Sequence, residues 1–507
     1  MKNLKIYFTS DLHGYIYPTD YRNNNKKNMG LLNIINSYKK DENTLIIDGG
    51  DTIQGSPFTT YISKEKYDMH PVAKAMNIGG YDYITLGNHD FNYGYEYLKN
   101  YVDSFNGKCL STNIIDKLGE IDLLPSDVKV LENGLKVGLI GFTTDFITVW
   151  ERAENLENFI VKDTYSSIIK EYEKLKKETD ILIGIYHGGF ENDLTTNKVL
   201  STTKENIANK ICAELEFDIL LTAHQHMNLS GQYVNDTYIV QTSQNGNKFI
   251  EINVDFDDSK NKIAAISSSL NTPDDNPNKE AYNLLYPIEE KVQQWLDIPV
   301  GFLNKPLLPT KHLEMAINGC PLIDFINQVQ LDVSGAQVSC ASVANSVKGF
   351  NREVTVRDVV STYIYPNTLV VLEVTGSILK QALEKSASYF HKNKNGHIEI
   401  SKNFLHPKVQ HYNYDYFSGI SYTFDLNNSI GNRVTSLVFA GKPVKDADKL
   451  TLVMNNYRAS GVAGYDFYKQ CPVVKEIQIE MAEIIINYFE KHKNVIVDNT
   501  RYLTLIK

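Results

Sequence analysis

Asp218-Ile219-Leu220-Leu221-Thr222-Ala223-His224-Gln225-His226 is the stretch on which the reading of this chain turns. An apolar run stops abruptly at two histidines spaced by one residue. Read as a buried strand from Phe217 to Leu221, it delivers His224 and His226 just past the carboxyl edge of a sheet. If the backbone stays extended there, both imidazoles point the same way and serve one metal cluster. Taken alone, a His-x-His is more often an exposed turn than a metal site.

The same arrangement recurs upstream. Ile6 to Ser10 runs into Asp11-Leu12-His13-Gly14, and Leu45-Ile46-Ile47 into Asp48-Gly49-Gly50-Asp51. Tyr83 to Leu86 runs into Gly87-Asn88-His89-Asp90, and Ile181 to Tyr186 into His187-Gly188-Gly189. Ordinary turn chemistry explains any one of these loops, since Gly, Asn and Asp are turn residues. It explains poorly a series of strands that all end in Asp, His or Asn. Ligands of α/β sheets gather outside the carboxyl ends of strands, so these loops can converge.

Residues 1–270 alternate such strands with helical patterns, at Met29 to Tyr38 and Ser166 to Lys177, which implies layered α/β structure. Lys136 to Phe142 reads as a further buried strand. Thr237 to Gln241 and Phe249 to Val254 look more antiparallel. Asn271 to Asn278 is polar with two prolines and reads as a boundary. Residues 271–299 form a linker with a connector helix, in which Pro287 predicts a break or a helix start. Residues 300–507 form a second α/β domain. Its strands are Asn367 to Val374, Ser421 to Leu426 and Leu450 to Met454, and Ser377 is the expected N-cap of a helix reaching about Tyr389. Asn23 to Asn28 reads as a solvated loop.

Composition bounds the rest. The 507 residues, 42% hydrophobic and 22% charged, suffice for two to four globular domains. A net charge of −10 argues against a nucleic-acid polymer as partner, yet leaves room for an anionic small molecule held by bound cations. No run approaches the ~20 apolar residues of a membrane span. The amino terminus lacks a signal-peptide pattern, and the five scattered cysteines form no CxxC, so a cytoplasmic location is expected.

Oxygen and imidazole donors without thiolate suit Mn²⁺, Co²⁺, Zn²⁺ or Fe. Asp11, His13, Asp51, Asn88, His187, His224 and His226 are too many ligands for one tetrahedral site. Two divalent ions ~3.5–4 Å apart, bridged by the Asp51 carboxylate, would use them all. Such a pair activates water and clamps a phosphoryl oxygen. His89 need not bind metal; it can face the phosphate, stabilising charge or protonating the leaving oxygen.

Asp-x-His, Gly-Gly-Asp, Gly-Asn-His-Asp, His-Gly and His-x-His, in this order, resemble the calcineurin-like metallophosphoesterases. Asn455-Asn456-Tyr457-Arg458-Ala459-Ser460-Gly461 and Tyr363-Ile364-Tyr365-Pro366-Asn367-Thr368 resemble the C-terminal domain of the 5′-nucleotidase family. Within that family they look most like the bifunctional 2′,3′-cyclic-nucleotide 2′-phosphodiesterase/3′-nucleotidase branch. The resemblance implies a four-layer α/β/β/α catalytic sandwich followed by an α/β nucleoside-binding domain. It implies Asp11, His13, Asp51 and His226 at one ion, and Asp51, Asn88, His187 and His224 at the other. His89 would be the catalytic histidine with Asn92 as its partner. Tyr414 and Tyr465 would stack the base, with Arg458 and Asn367 in the substrate site.

Some positions depart from the family pattern. Asn92 stands where many members have Asp, an amide that accepts the His89 N–H bond without adding charge. Ala223 replaces a glycine. The 5′-nucleotide branch often has Gln at the His226 position. The arginines that hold substrate in 5′-nucleotidases have no clear match around Asn345 to Arg352. The resulting expectation is hydrolysis of nucleotide phosphoesters, preferentially 2′,3′-cyclic and 3′. The alternatives are a 5′-nucleotidase or nucleotide-sugar pyrophosphatase on the same scaffold, and a non-catalytic nucleotide- or metal-binding protein.

Overall fold

The apolar runs fold into two facing sheets, and the strand ends then fall in register. The computed structural model describes residues 1–507 except 24, 198, 200–203, 366, 406–408, 478 and 499. Asn24 of the polar loop and Pro366 of the Tyr363 to Thr368 motif thus lie outside the described residues. The chain divides into two units, Met1–Gln293 and Gln294–Lys507.

In the first unit a seven-stranded sheet has at its centre the strands Phe249–Asp257, Lys2–Thr9, Thr44–Asp48 and Tyr83–Ile84, in that order. A six-stranded sheet is centred on Thr237–Gln241, Ile219–Thr222, Ile181–His187 and Lys136–Thr143. Alternation decides which residues meet. Leu4, Ile6 and Phe8 of the first sheet share one buried cluster with Ile181, Ile183, Ile185, Ile219 and Leu221 of the second. The intervening Leu182, Tyr186 and Leu220 face the other way, onto Ile168, Tyr172 and Leu175 of the helix Thr164–Leu175. On the first sheet's outer side Tyr7 stacks on Tyr38, beside the helix Leu31–Ser37. The helix–sheet–sheet–helix layering read from the resemblance is present. Each fully buried aliphatic contributes about 1.5–3 kcal/mol.

Parallel pairing aligns the carboxyl ends. Thr9 lies opposite Asp48 and Asp48 opposite Ile84, while Tyr186 lies opposite Thr222 and Thr143 opposite His187. Two expectations need correction. Thr237–Gln241 runs parallel to Ile219–Thr222 and is buried throughout, so it is a central strand; only its other neighbour, Leu229–Val234, is antiparallel. Pro287 does not break its helix, which spans Lys279–Leu296. Tertiary contacts hold it against the cost of the proline: Ala281, Leu285 and Val292 are buried, Tyr17 donates to the Tyr282 carbonyl at 2.7 Å, and Tyr21 to Glu289 at 3.0 Å.

The second unit is built on a five-stranded sheet in the order Asp415–Ser418, Val338–Ser342, Lys449–Asn455, Leu369–Thr375, Val473–Ile477. The helix Pro321–Ser334 buries Leu322, Phe325, Ile326 and Val329, the spacing of one helical face. The helix expected after Ser377 starts at Gly376, because Thr375 accepts the Ile378 N–H and is the cap.

Candidate active site

Each loop that leaves a strand end turns sharply. Asp11, His13, Asp51, His224 and His226 all take positive φ, between 46° and 72°. Such backbone costs on the order of 1–3 kcal/mol per residue and collects at functional sites. Here it is offset by a hydrogen-bond frame. Asp11 N–H donates to the Gly50 carbonyl and His13 N–H to the Asp51 carbonyl, both at 2.8 Å. The buried Asp90 carboxylate accepts from the N–H groups of Gly87, Asp51, Thr52 and Ile53 at 2.8–3.0 Å. Burial and the neighbouring Asp51 push Asp90 up to about 6. Gly87 has no alternative: a Cβ there would lie 2.1 Å from Asp51 Oδ1 and 2.6 Å from His187 Cε1.

This frame gathers two clusters of possible metal ligands, Asp11 with His13 and His226, and Asp51 with His187 and His224. His226 Nε2 is 3.4 Å from Asp11 Oδ1, and His187 Nε2 is 3.2 Å from Asp51 Oδ2. The left-handed backbone corrects the reading of His224 and His226 as an extended pair: they turn to different clusters. Burial would raise Asp11, but His226 and His187 outweigh it and hold it at about 2. Burial lowers His13 to about 4 despite Asp51. It would lower His187 too, but Asp51 wins and lifts His187 to about 10. Cations bound here would replace that proton as the balancing charge.

The residues fit a pair of divalent ions. Among the described residues the buried Asn88 Oδ1 has no hydrogen-bond partner; His187 Nε2, also buried, sits near Asp51 without hydrogen-bond geometry. His13 Nε2 and His226 Nε2 face each other at 3.1 Å, so at least one presents a lone pair to the other. The donor set is oxygen and imidazole.

His89 stands beside this group. Its N–H donates to Asp51 Oδ1 at 2.7 Å, its ring meets His13 edge-on at 5.5 Å, and its Nδ1 is 2.9 Å from Asn92 Oδ1. Sequence reasoning assigned no role to Asp48, Asp90, Glu151 or Glu205. Asp48 accepts from Thr9 at 2.6 Å and from Thr52, and burial raises it to about 7. Glu205 Oε1 lies 3.0 Å from His224 Nε2. Asp48 and Asp90 stand inside the quoted motifs, which was the available signal; Glu151 and Glu205 carry none.

The substrate residues expected in the second unit are placed differently from the reading. Tyr414 and Tyr465 are 2% and 0% exposed, so neither ring presents a free face to a base. Tyr414 packs among Tyr389, Phe390 and Tyr416. Tyr465 is covered by the Arg458 guanidinium, 4.0 Å from its ring centre. Arg458 is itself buried, paired with Asp415 at 2.8 Å and donating to the Tyr412 carbonyl at 3.0 Å. In this structure Tyr465 and Arg458 therefore pack on each other, and Tyr414 packs in a separate group of aromatic rings. Asn367 is half-buried and engages the Tyr363 hydroxyl.

The fold and site define a phosphoesterase class, and comparison with known proteins agrees. The calcineurin-like phosphoesterase model matches residues 4–228, and the 5′-nucleotidase C-terminal domain model residues 299–470. A putative 5′-nucleotidase from Staphylococcus aureus is 31% identical, with all of both chains covered and a TM-score of 0.81. The chain belongs to the 5′-nucleotidase family of calcineurin-like phosphoesterases, hydrolases of phosphoester bonds. A 2′,3′-cyclic-nucleotide 2′-phosphodiesterase/3′-nucleotidase of Salmonella typhimurium is 25% identical over 90% of this chain and 81% of its own. A trifunctional nucleotide phosphoesterase of Bacillus subtilis is 25% identical over 97% of this chain, which spans only 38% of that protein's length.

Proposed function

We propose that this chain hydrolyses nucleotide phosphoesters with two divalent ions, acting first on 2′,3′-cyclic nucleotides as a 2′-phosphodiesterase and then on 3′-nucleotides. The observation that carries the reading is the convergence of two clusters of possible ligands from the strand ends of both sheets, with His89 beside His13 of one and Asp51 of the other. Asp11, His13 and His226 would hold one ion, Asn88, His187 and His224 the other, with Asp51 shared. The ions, of the Mn, Zn, Co or Fe kind, supply an activated water and neutralise phosphoryl charge. His89 donates to the phosphoryl group or to the leaving oxygen. The branch rests on His226, on the Asn-Asn-Tyr-Arg-Ala-Ser-Gly stretch and on the Salmonella relative. Five cysteines without a disulfide support work in a reducing compartment. No described helix is long and apolar enough to cross a membrane.

A second reading, a 5′-nucleotidase, is favoured by the Staphylococcus likeness. The two separate in one assay. With Mn²⁺ at one concentration, kcat/KM for 2′,3′-cyclic AMP and for 3′-AMP should exceed that for 5′-AMP by at least ~10-fold, about 1.4 kcal/mol of transition-state binding. A preference for 5′-AMP selects the second reading.

A further inference from the structure

Asn92 has Glu151 behind it. Its amide Nδ2 donates to Glu151 Oε2, while its Oδ1 faces His89 Nδ1 at 2.9 Å. The other Glu151 oxygen accepts from Arg152 N–H at 2.7 Å and from Asn155 Nδ2 at 2.8 Å. Asn155 also donates to the Asn92 carbonyl at 3.1 Å. The carboxylate is thus held in place from its own side.

An asparagine side chain can turn its oxygen or its nitrogen toward a neighbour, and the two choices select opposite histidine tautomers. An ionised carboxylate only accepts. Glu151 therefore fixes the Asn92 amide with nitrogen outward and oxygen toward His89. That oxygen accepts, so His89 keeps one proton on Nδ1, and the proton it donates on the reacting side is a second one, carried on Nε2. Were the amide turned over, its NH₂ would meet Nδ1, which would then have to accept. The ring could then not hold protons on both nitrogens, and the doubly protonated form that donates to the phosphoryl group while staying anchored at Nδ1 would be lost.

We infer that Glu151 is a positioning residue for His89, acting through Asn92: this chain places on Glu151, one side chain further out, the negative charge that an aspartate at position 92 would supply. The inference rests on the proposed role of His89. It makes a specific coupling between positions 92 and 151. With Asn92 present, a group that only accepts is required at 151, since an amide there could present its own NH₂ and let Asn92 turn over. With aspartate at 92, a carboxylate at 151 would repel it and a donor would serve better.

The experiment measures kcat and KM for 3′-AMP in the Mn²⁺-loaded enzyme, with metal content and melting temperature of each variant. His89→Asn tests the underlying reading and should lower kcat by roughly 10²–10⁴ with metal retained. Glu151→Ala should lower kcat by about 10- to 100-fold, as loss of an outer-shell partner does, with KM within about two-fold. Glu151→Gln, which keeps the packing, should lower kcat in the natural background. In the Asn92→Asp background the same Glu151→Gln change should instead raise kcat. That reversal is not a property of a residue that merely supports the loop. If His89→Asn leaves kcat intact, the role of His89 falls and the inference with it. If His89→Asn is inactive but Glu151→Ala matches the unsubstituted enzyme, or Glu151→Gln lowers kcat in both backgrounds, the inference alone is overturned.

Discussion

His13 Nε2 and His226 Nε2 face each other at 3.1 Å, although 213 residues separate them in the chain. At that distance one nitrogen donates to the other, and an ion between them could take the place of the shared proton. With Asp11 they form a cluster distinct from Asp51, His187 and His224. His226→Ala should therefore cost one bound ion and leave the other in place. Elemental analysis of the purified variant should give a metal content near half that of the parent. Loss of both ions, or of neither, would show that the clusters are not separate sites.

The Arg458–Asp415 pair yields a prediction about stability. Both side chains are almost wholly buried, and burial pushes Asp415 upward even beside Arg458. Arg458→Ala would leave an uncompensated buried carboxylate, at a cost of about 3–5 kcal/mol. The double change Arg458→Met with Asp415→Asn should cost less than Arg458→Ala. Urea unfolding followed by tyrosine fluorescence measures both. Should Arg458→Ala keep full stability and raise KM for nucleotides instead, the arginine holds substrate.

His70 predicts an acid limit on stability. It is buried at the head of the helix Pro71–Ile78, where its Nδ1 accepts the Val72 N–H at 3.3 Å and its ring lies edge-on to Tyr97 and Tyr101. Burial lowers it to about 3. The folded state holds the neutral form, and the unfolded chain takes up a proton near pH 6.5. Its contribution is complete above about pH 6.5 and shrinks by up to ~1.4 kcal/mol per unit as pH falls toward 3. His70→Asn keeps a capping oxygen and removes the titration, so unfolding midpoints between about pH 6 and 4 should vary less in the variant. Equal slopes would contradict the assignment.

The catalytic unit was largely legible in the sequence, because its information is local. Each candidate ligand follows a short apolar run that reads as a buried strand, and parallel strands deliver their carboxyl ends to one edge of their sheet. The geometry of the candidate ligand loops was not legible: Asp11, His13, Asp51, His224 and His226 adopt a left-handed backbone that is uncommon outside glycine, fixed by bonds between loops, Asp90 to Asp51, Gly50 to Asp11 and Asp51 to His13. Pro287 was misjudged because packing from Tyr17 and Tyr21 overrides its local cost. Tyr414 and Tyr465 illustrate the opposite limit. A motif locates a residue in the chain but leaves open which neighbour covers its ring, and Arg458 does so for Tyr465. Glu151 had no signal at all, since its meaning depends on Asn92 facing His89.

The most direct test of the dinuclear phosphoesterase assignment is the metal dependence of hydrolysis together with metal stoichiometry. Bis-p-nitrophenyl phosphate and 2′,3′-cyclic AMP would be assayed with the enzyme as purified, after exhaustive chelation and dialysis, and after Mn²⁺ is returned. The account predicts about two ions per chain when loaded, loss of nearly all turnover on removal, and recovery on return. It also predicts that Asp51→Ala binds little metal and stays inactive throughout. Full turnover in enzyme stripped of metal, or an Asp51→Ala variant with normal metal and normal rate, would contradict it.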